Sequence, residues 1–139
     1  MIERGFAVLP HTADRILEAW APTYEGCLEE AVAALGASFA VPREGAPRVL
    51  RPVSIAVGDA VDELVALLEE AVYVCDAHGL VPFGVTLVRT DDGLAGAFDT
   101  VAIADLEVVA AVPKAVALHE IAMQEQAAGG WRCHVVIDV

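Results

Sequence analysis

Two short polar segments, one near each end of the chain, contain residue types that suit metal binding. The first is His11-Thr12-Ala13-Asp14, which lies between an apolar run ending at Leu9 and a second run opening at Ile16. The second is Asp138, which is followed by the last residue, Val139. Carboxylate and main-chain oxygens are the ligands that hard cations such as Ca²⁺ and Mg²⁺ prefer. The sequence therefore suggests an oxygen-only cation site, provided that the two segments meet in the fold.

A simpler interpretation of the first segment is a tight turn. Thr and Asp side chains commonly accept hydrogen bonds from nearby backbone N–H groups, and a four-residue motif matches many unrelated proteins by chance. An acid next to a chain end is, in the same way, usually only solvated.

If Asp14 and Asp138 do meet, two carboxylates ~4 Å apart repel by roughly 4 kcal/mol at a near-surface dielectric. A bound cation would cancel that repulsion.

Residues 131–139 alternate in the way a half-buried strand does. One face has the residues Trp131, Cys133, Val135, Ile137 and Val139, and the other has Arg132, His134, Val136 and Asp138. The first face is predicted to be core, so Asp138 is expected on the less apolar face. This periodicity predicts the direction of a side chain, but it does not predict which strand lies alongside.

The chain is strongly acidic. It has 21 Asp and Glu residues against 8 Lys and Arg residues, which gives a formal charge of −13. Gripping a phosphate backbone requires clustered Lys and Arg side chains, and the sequence has no such cluster, so direct nucleic-acid binding is not expected. A cation or a basic protein surface suits this charge better. The alternative is that the acidity only keeps an apolar, Ala-rich protein soluble.

Length and composition predict a single domain over residues 1–139 with a dense core, since 57% of the residues are hydrophobic. No apolar run approaches the ~20 residues that span a bilayer, and the N-terminus does not resemble a signal peptide. The three cysteines lack CxxC spacing, which favours reduced, packed thiols. We therefore expect a cytoplasmic protein without a membrane partner.

Apolar periodicity predicts two helices and at least six strands that position these segments. The helices are expected at 23–39 and from 59 to a cap at Gly79, each with one core-facing side. The strands are expected at 48–57, 81–89, 94–100, 106–112, 114–123 and 131–139, with Pro52 at an edge or bulge and a hairpin turn at 90–93. This order is typical of an α+β fold, with antiparallel sheets covered by two helices.

Several of these segments, in this order, resemble the archease family. His11-Thr12-Ala13-Asp14 resembles the N-terminal signature of that family, and the helix from Asp59 to Asp76 resembles its second helix. Lys114-Ala115-Val116, followed by His119, resembles its Lys-Ala-Val-Thr-Tyr-His strand. Gly130-Trp131 leading into 136–139 resembles its closing strand, so the likeness spans nearly the whole chain.

The resemblance implies a β-sandwich-like α+β fold with two helices and a metal site built from the two chain ends. The implied ligands are the carboxylates of Asp14 and Asp138 and a main-chain oxygen of Val139, with Ca²⁺ or Mg²⁺ as the expected ion. It further implies a protein that is not an enzyme. Such proteins activate a GTP-dependent RNA-splicing ligase in tRNA splicing or RNA repair, by promoting guanylylation of the ligase and its multiple turnover.

Three further residues are candidates for contact with a partner or for support of the metal ligands. Lys114 and His119 could contact the ligase, or they could be a solvated lysine and a strand histidine bonded to backbone. His11 could support the ligands, although a structural role in its loop is favoured. The sequence departs from the family pattern by losing the Thr and Tyr of the strand motif, and by having Arg15 where an aliphatic residue is usual.

Two other functions stay open at the level of the sequence. The first is a small metal-dependent hydrolase that uses Asp14, Asp138 and His119 around a metal-bound water. The second is an ion-binding or dimerisation module of the same fold without a ligase partner. The sequence has neither a spaced nucleophile–base pair nor a Gly-rich phosphate loop, which disfavours the hydrolase.

Overall fold

The computed structural model describes residues 2–10 and 14–139, with Pro10 described in its backbone only. His11, Thr12 and Ala13 lie outside the described residues. In chain order the elements are β1 (Gly5–Pro10), β2 (Asp14–Ala21), α1 (Tyr24–Ala37), β3 (Ala40–Pro42), β4 (Val49–Ala56), α2 (Ala60–His78), β5 (Leu80–Thr90), β6 (Gly93–Ala102), a 3₁₀ turn (Ile103–Asp105), β7 (Leu106–Val108), β8 (Ala115–Glu125) and β9 (Trp131–Asp138).

All strand pairs are antiparallel, and they form two larger sheets and one small one. The larger sheets have the strand orders β1-β2-β9-β8 and β4-β6-β5, and β3 pairs with β7. The predicted α+β class with antiparallel sheets and two helices is confirmed. The last strand lies beside β2 and β8 in the sheet interior, whereas β1 is an edge strand.

Both helices begin where local sequence signals predict, and α2 also ends as predicted, whereas α1 ends at Ala37, two residues before the predicted end. The Thr23 hydroxyl caps α1 by accepting from the Gly26 N–H at 3.0 Å, and the Asp59 carboxylate caps α2 by accepting from the Asp62 N–H at 2.9 Å. Gly79 ends α2 with φ 63°, the left-handed conformation that glycine adopts without a steric penalty. The predicted single core-facing side is seen in α2, where Asp62, Glu69 and Tyr73 are exposed on the side opposite the buried residues. Each helix contacts strands of both larger sheets, because the helices lie between the sheets.

The strand predictions hold for the long strands and fail for the short ones. Pro52 lies in β4, an edge strand, and residues 90–93 join β5 to β6 in a hairpin, both as predicted. The strand predicted at 106–112 ends at Val108, because the next two backbone N–H groups donate to the Phe39 carbonyl instead of to a neighbouring strand. Strand β3 was not predicted.

The core lies between the two larger sheets and around the helices. Its largest fully buried side chains include Leu17, Leu28, Leu64 and Phe98. All three cysteines are free, and Cys27 and Cys133 are buried, in agreement with the predicted packing role. Among the described residues, no helix is long and apolar enough to cross a membrane.

Candidate functional site

Asp14 and Asp138 lie directly opposite each other in the larger sheet. Asp14 is the first residue of β2, Asp138 is the last of β9, and the two are partners in the antiparallel register. Directly opposed residues of an antiparallel pair have Cβ atoms about 4.5–5.5 Å apart on the same face. The two chain segments therefore meet, and their carboxylates share one face of the sheet.

Side-chain alternation shows which face this is. Leu17 and Ala19 of β2 are buried on the helix side of the sheet, so Asp14 points to the opposite, outward face. The register places Val135 and Ile137 of β9 on the helix side and Asp138 on the outward face, as the sequence predicted. Val136 is on the outward face and yet 3% exposed, so the neighbourhood of the pair is more apolar than expected.

Lys114 is connected to this pair through its backbone. The Lys114 N–H donates to the main-chain oxygen of Asp138 at 2.8 Å, and the next residue, Ala115, is the register partner of Asp138. Lys114 also lines a cavity together with Tyr73 and Asp76 of α2. The structure thus places the backbone of Lys114 beside that of Asp138, and Lys114 also lines the cavity next to α2.

His119 is not part of the pair. It lies in β8 at an irregularity where residues 118–121 face a single residue of β9, Val135. Its side chain is 64% exposed, and its Nδ1 lies 3.4 Å from a Glu120 carboxylate oxygen. The register partners Val136 and Ala117 lie between His119 and Asp138 along the two strands. His11 lies outside the described residues.

Arg15 has a structural role that accounts for its place beside Asp14. Its guanidinium donates to the Ser38 carbonyl at 3.2 Å and to the Ala111 carbonyl at 2.8 Å. Successive residues of a strand point to opposite faces, so Arg15 lies on the other side of the sheet from the Asp14 carboxylate. The arginine ties β2 to the end of α1 and to the segment before β8.

The donor set at the chain ends has the chemistry that a hard cation requires. Asp14 and Asp138 offer carboxylate oxygens from adjacent strands, and Val139 follows with its side chain packed against the core. Ca²⁺ and Mg²⁺ bind oxygen ligands of this kind, and both accept waters to complete their coordination. Within residues 2–10 and 14–139, no group of three His, Cys, Asp or Glu side chains is arranged to hold a metal. Main-chain oxygens, water or a partner would therefore complete the coordination.

A second polar cluster, which was not predicted from the sequence, links α2 to β5 and to the start of α1. The Glu63 carboxylate, 2% exposed, accepts two hydrogen bonds from Arg89 at 2.7 and 2.8 Å and one from the Tyr24 hydroxyl at 2.6 Å. These bonds, with Arg89 as the main cause, lower the pKa of Glu63 from 4.5 to about 2. Glu63 lies one helical turn before the apolar residue Leu67, and this spacing places it on the buried side of α2. That placement is the sequence signal that could have indicated a buried and paired carboxylate.

The fold and the site together define a class of α+β protein: two antiparallel sheets with helices between them, and two aspartates opposed at the ends of adjacent strands. Residues 6–139 match the model of the Archease protein family (MTH1598/TM1083). The chain is also 41% identical over 136 residues to "Probable protein archease" of Mycobacterium tuberculosis, in strains CDC 1551 and H37Rv, covering 97% of this chain and 75% of each relative. The chain belongs to the archease family.

Two solved structures have the same fold. Protein 1598 of Methanobacterium thermoautotrophicum superposes with a TM-score of 0.72 at 23% identity, covering 97% of this chain and 99% of that one. A Thermotoga maritima protein, described as an archease and possible chaperone, superposes with a TM-score of 0.61 at 20% identity, covering 94% of each chain. At these identities the likeness establishes the fold alone.

Proposed function

We propose that this protein activates a GTP-dependent RNA-splicing ligase, promoting ligase guanylylation and multiple turnover in tRNA splicing or RNA repair. In this proposal it performs no chemistry of its own. Membership of the archease family and the acidic charge of −13 support a protein partner over a nucleic acid. The observation that carries the proposal is the register pairing of Asp14 with Asp138, because it joins the first and last motifs of the family resemblance into one site.

We further propose that Asp14, Asp138 and a main-chain oxygen of Val139 hold a divalent cation, Ca²⁺ or Mg²⁺. A cation held there would supply positive charge at the edge of an otherwise acidic protein. The residues of this chain do the positioning: β2 and β9 hold the carboxylates in register, and Lys114 fixes the backbone of Asp138 through the bond from its N–H.

The test is a multiple-turnover RNA ligation assay with the cognate ligase, with and without this protein, in Ca²⁺ and in Mg²⁺. Wild-type protein is expected to raise the number of turnovers per ligase, and Asp14→Asn is expected to lose this effect while remaining folded. Asp91→Asn, in the exposed β5–β6 turn, is the matched control and should stimulate as the wild type does.

Each part of the proposal can fail separately in this assay. Absence of stimulation by the wild type in either ion would overturn the ligase-activator function. Full stimulation by Asp14→Asn would overturn the role of the metal site and leave the activator function standing. Turnover of nucleotides or phosphoesters by the protein alone, lost with a chelator, would instead support a hydrolase.

A further inference from the structure

A continuous groove, here called the α2–β8 groove, runs between α2 and the chain that forms β8. It consists of a cavity of about 520 Å³ beside the first half of the helix and one of about 510 Å³ beside the second half, and Glu69 lines both. Its main lining residues are Val65, Glu69 and Tyr73 on the helix, and Lys114, Leu118 and Ile121 opposite. Because α2 has 19 residues, the helix beside the groove is about 28 Å long.

The irregularity in β8 exposes an apolar side chain at the rim of this groove. Between Ala117 and Ala122 the register with β9 shifts, and Glu120 adopts φ 58°, a left-handed conformation that is unfavourable for a non-glycine residue. Bulges in edge strands change the direction in which side chains point. The result is that Leu118 is 75% exposed while it lines the groove.

The charges around the α2–β8 groove are almost all negative. Asp62, Glu69, Asp76 and Glu120 line it, and Lys114 is the one cation among its lining residues in the described part of the chain. A second copy of this acidic chain would bring like charges together. An apolar groove with acidic sides instead complements a segment that has apolar residues flanked by Lys or Arg.

We propose that the α2–β8 groove docks a basic segment with an apolar anchor residue, contributed by the ligase partner. This inference rests on the proposed function, since it assigns the docking surface of that partner. Lys114 lines the groove, and its backbone N–H donates to the main-chain oxygen of Asp138, whose carboxylate is on the outward face of the sheet.

Calorimetric titration of the cognate ligase with wild-type protein and with two matched variants tests this surface. Leu118→Ser removes the exposed leucine of the groove, and Leu50→Ser removes a leucine that is 72% exposed on β4, in the other sheet. We expect Leu118→Ser to weaken binding about tenfold, the loss typical of an apolar interface anchor, and Leu50→Ser to bind as the wild type does. Both side chains are exposed, so neither change should alter the melting temperature.

Charge reversal tests the chemistry of the occupant. Glu69→Lys should weaken binding strongly at low salt and less at high salt, because exposed charges are screened. Glu44→Lys, in the exposed segment between β3 and β4, should have little effect. Equal affinity of the Glu69 and Glu44 variants would overturn the basic character of the docked segment.

The remaining outcomes separate the groove from the function. If the wild type stimulates ligation and Leu118→Ser binds and stimulates equally well, the groove is not the docking surface and the activator function stands. If the wild type neither binds nor stimulates the ligase, the function and the assigned occupant both fail. A wild-type dimer in sedimentation that Leu118→Ser dissociates would make a second copy the occupant and overturn the proposal.

Discussion

The buried carboxylate of Glu63 offers a quantitative test of how the helix under the groove is held. Its pKa is lowered from 4.5 to about 2, and each tenfold change in proton affinity corresponds to ~1.36 kcal/mol. The ionised form in the folded protein therefore contributes about 3 kcal/mol to the free energy of unfolding at neutral pH. Glu63→Gln should lose a similar amount, near the lower end of the ~3–5 kcal/mol seen when a buried ion pair is broken, because the Arg89 side chain is 42% exposed.

The direction of the pH dependence follows from the lowered pKa. The unfolded chain binds the proton first, so this stabilisation is complete well above pH 4.5 and is lost as the pH falls towards about 2. Urea denaturation at a series of pH values should show the difference between wild type and Glu63→Gln shrinking over this range. Glu44→Gln, an exposed control, should track the wild type throughout.

Two results would contradict a stabilising role of the ionised Glu63 carboxylate. If Glu63→Gln is less stable than wild type by the same amount at pH 7 and at pH 2, the loss comes from packing and not from the ionised carboxylate. If it is no less stable at pH 7, the bonds from Arg89 and Tyr24 do not contribute net stability.

Three further changes have expected outcomes. Ca²⁺ at 100 times its dissociation constant should stabilise the wild type by ~2.7 kcal/mol, and it should not stabilise Asp138→Asn. Equal increases in the melting temperature of the two proteins would show that Asp138 is not a ligand. Arg15→Ala should cost about 1–3 kcal/mol in urea unfolding because two carbonyls lose their donor, whereas exposed Arg43→Ala should cost little. Gly36→Ala should lower the free energy of unfolding by about 1–3 kcal/mol, because its new Cβ would overlap a β5 carbonyl. Gly84→Ala is the control, because its Cβ would enter open space. Equal stability of the two variants would contradict the close approach of α1 to β5.

The elements that the sequence predicted well are those fixed by local interactions. The starts of both helices and the end of α2 follow from caps at Thr23, Asp59 and Gly79, each of which acts within one turn of chain. The hairpin at 90–93 and the edge position of Pro52 were predicted for the same reason. Alternation in the last strand gave the outward direction of Asp138 correctly.

The features that the sequence could not predict depend on contacts between distant segments. The position of both helices between two sheets could not be predicted from periodicity, because Ala-rich faces such as that of α1 can pack against either sheet. The hydrogen bonds between Glu63 and Arg89, and the exposure of Leu118 at the irregularity in β8, likewise depend on residues that are distant in the sequence and close in the fold. A buried charge and a bulge leave no periodic pattern, so local rules do not detect them.

For the candidate site, the sequence by itself determined the residue types and the direction in which one of them points. It left open whether Asp14 and Asp138 meet, and whether β1 or β2 lies beside the last strand. The fold answers both questions by placing β2 against β9 in the register that opposes the two aspartates. The physical reason is that strand pairing over a long separation is selected by the packing of a whole sheet face, and a register shift of one residue would turn Asp138 towards the core.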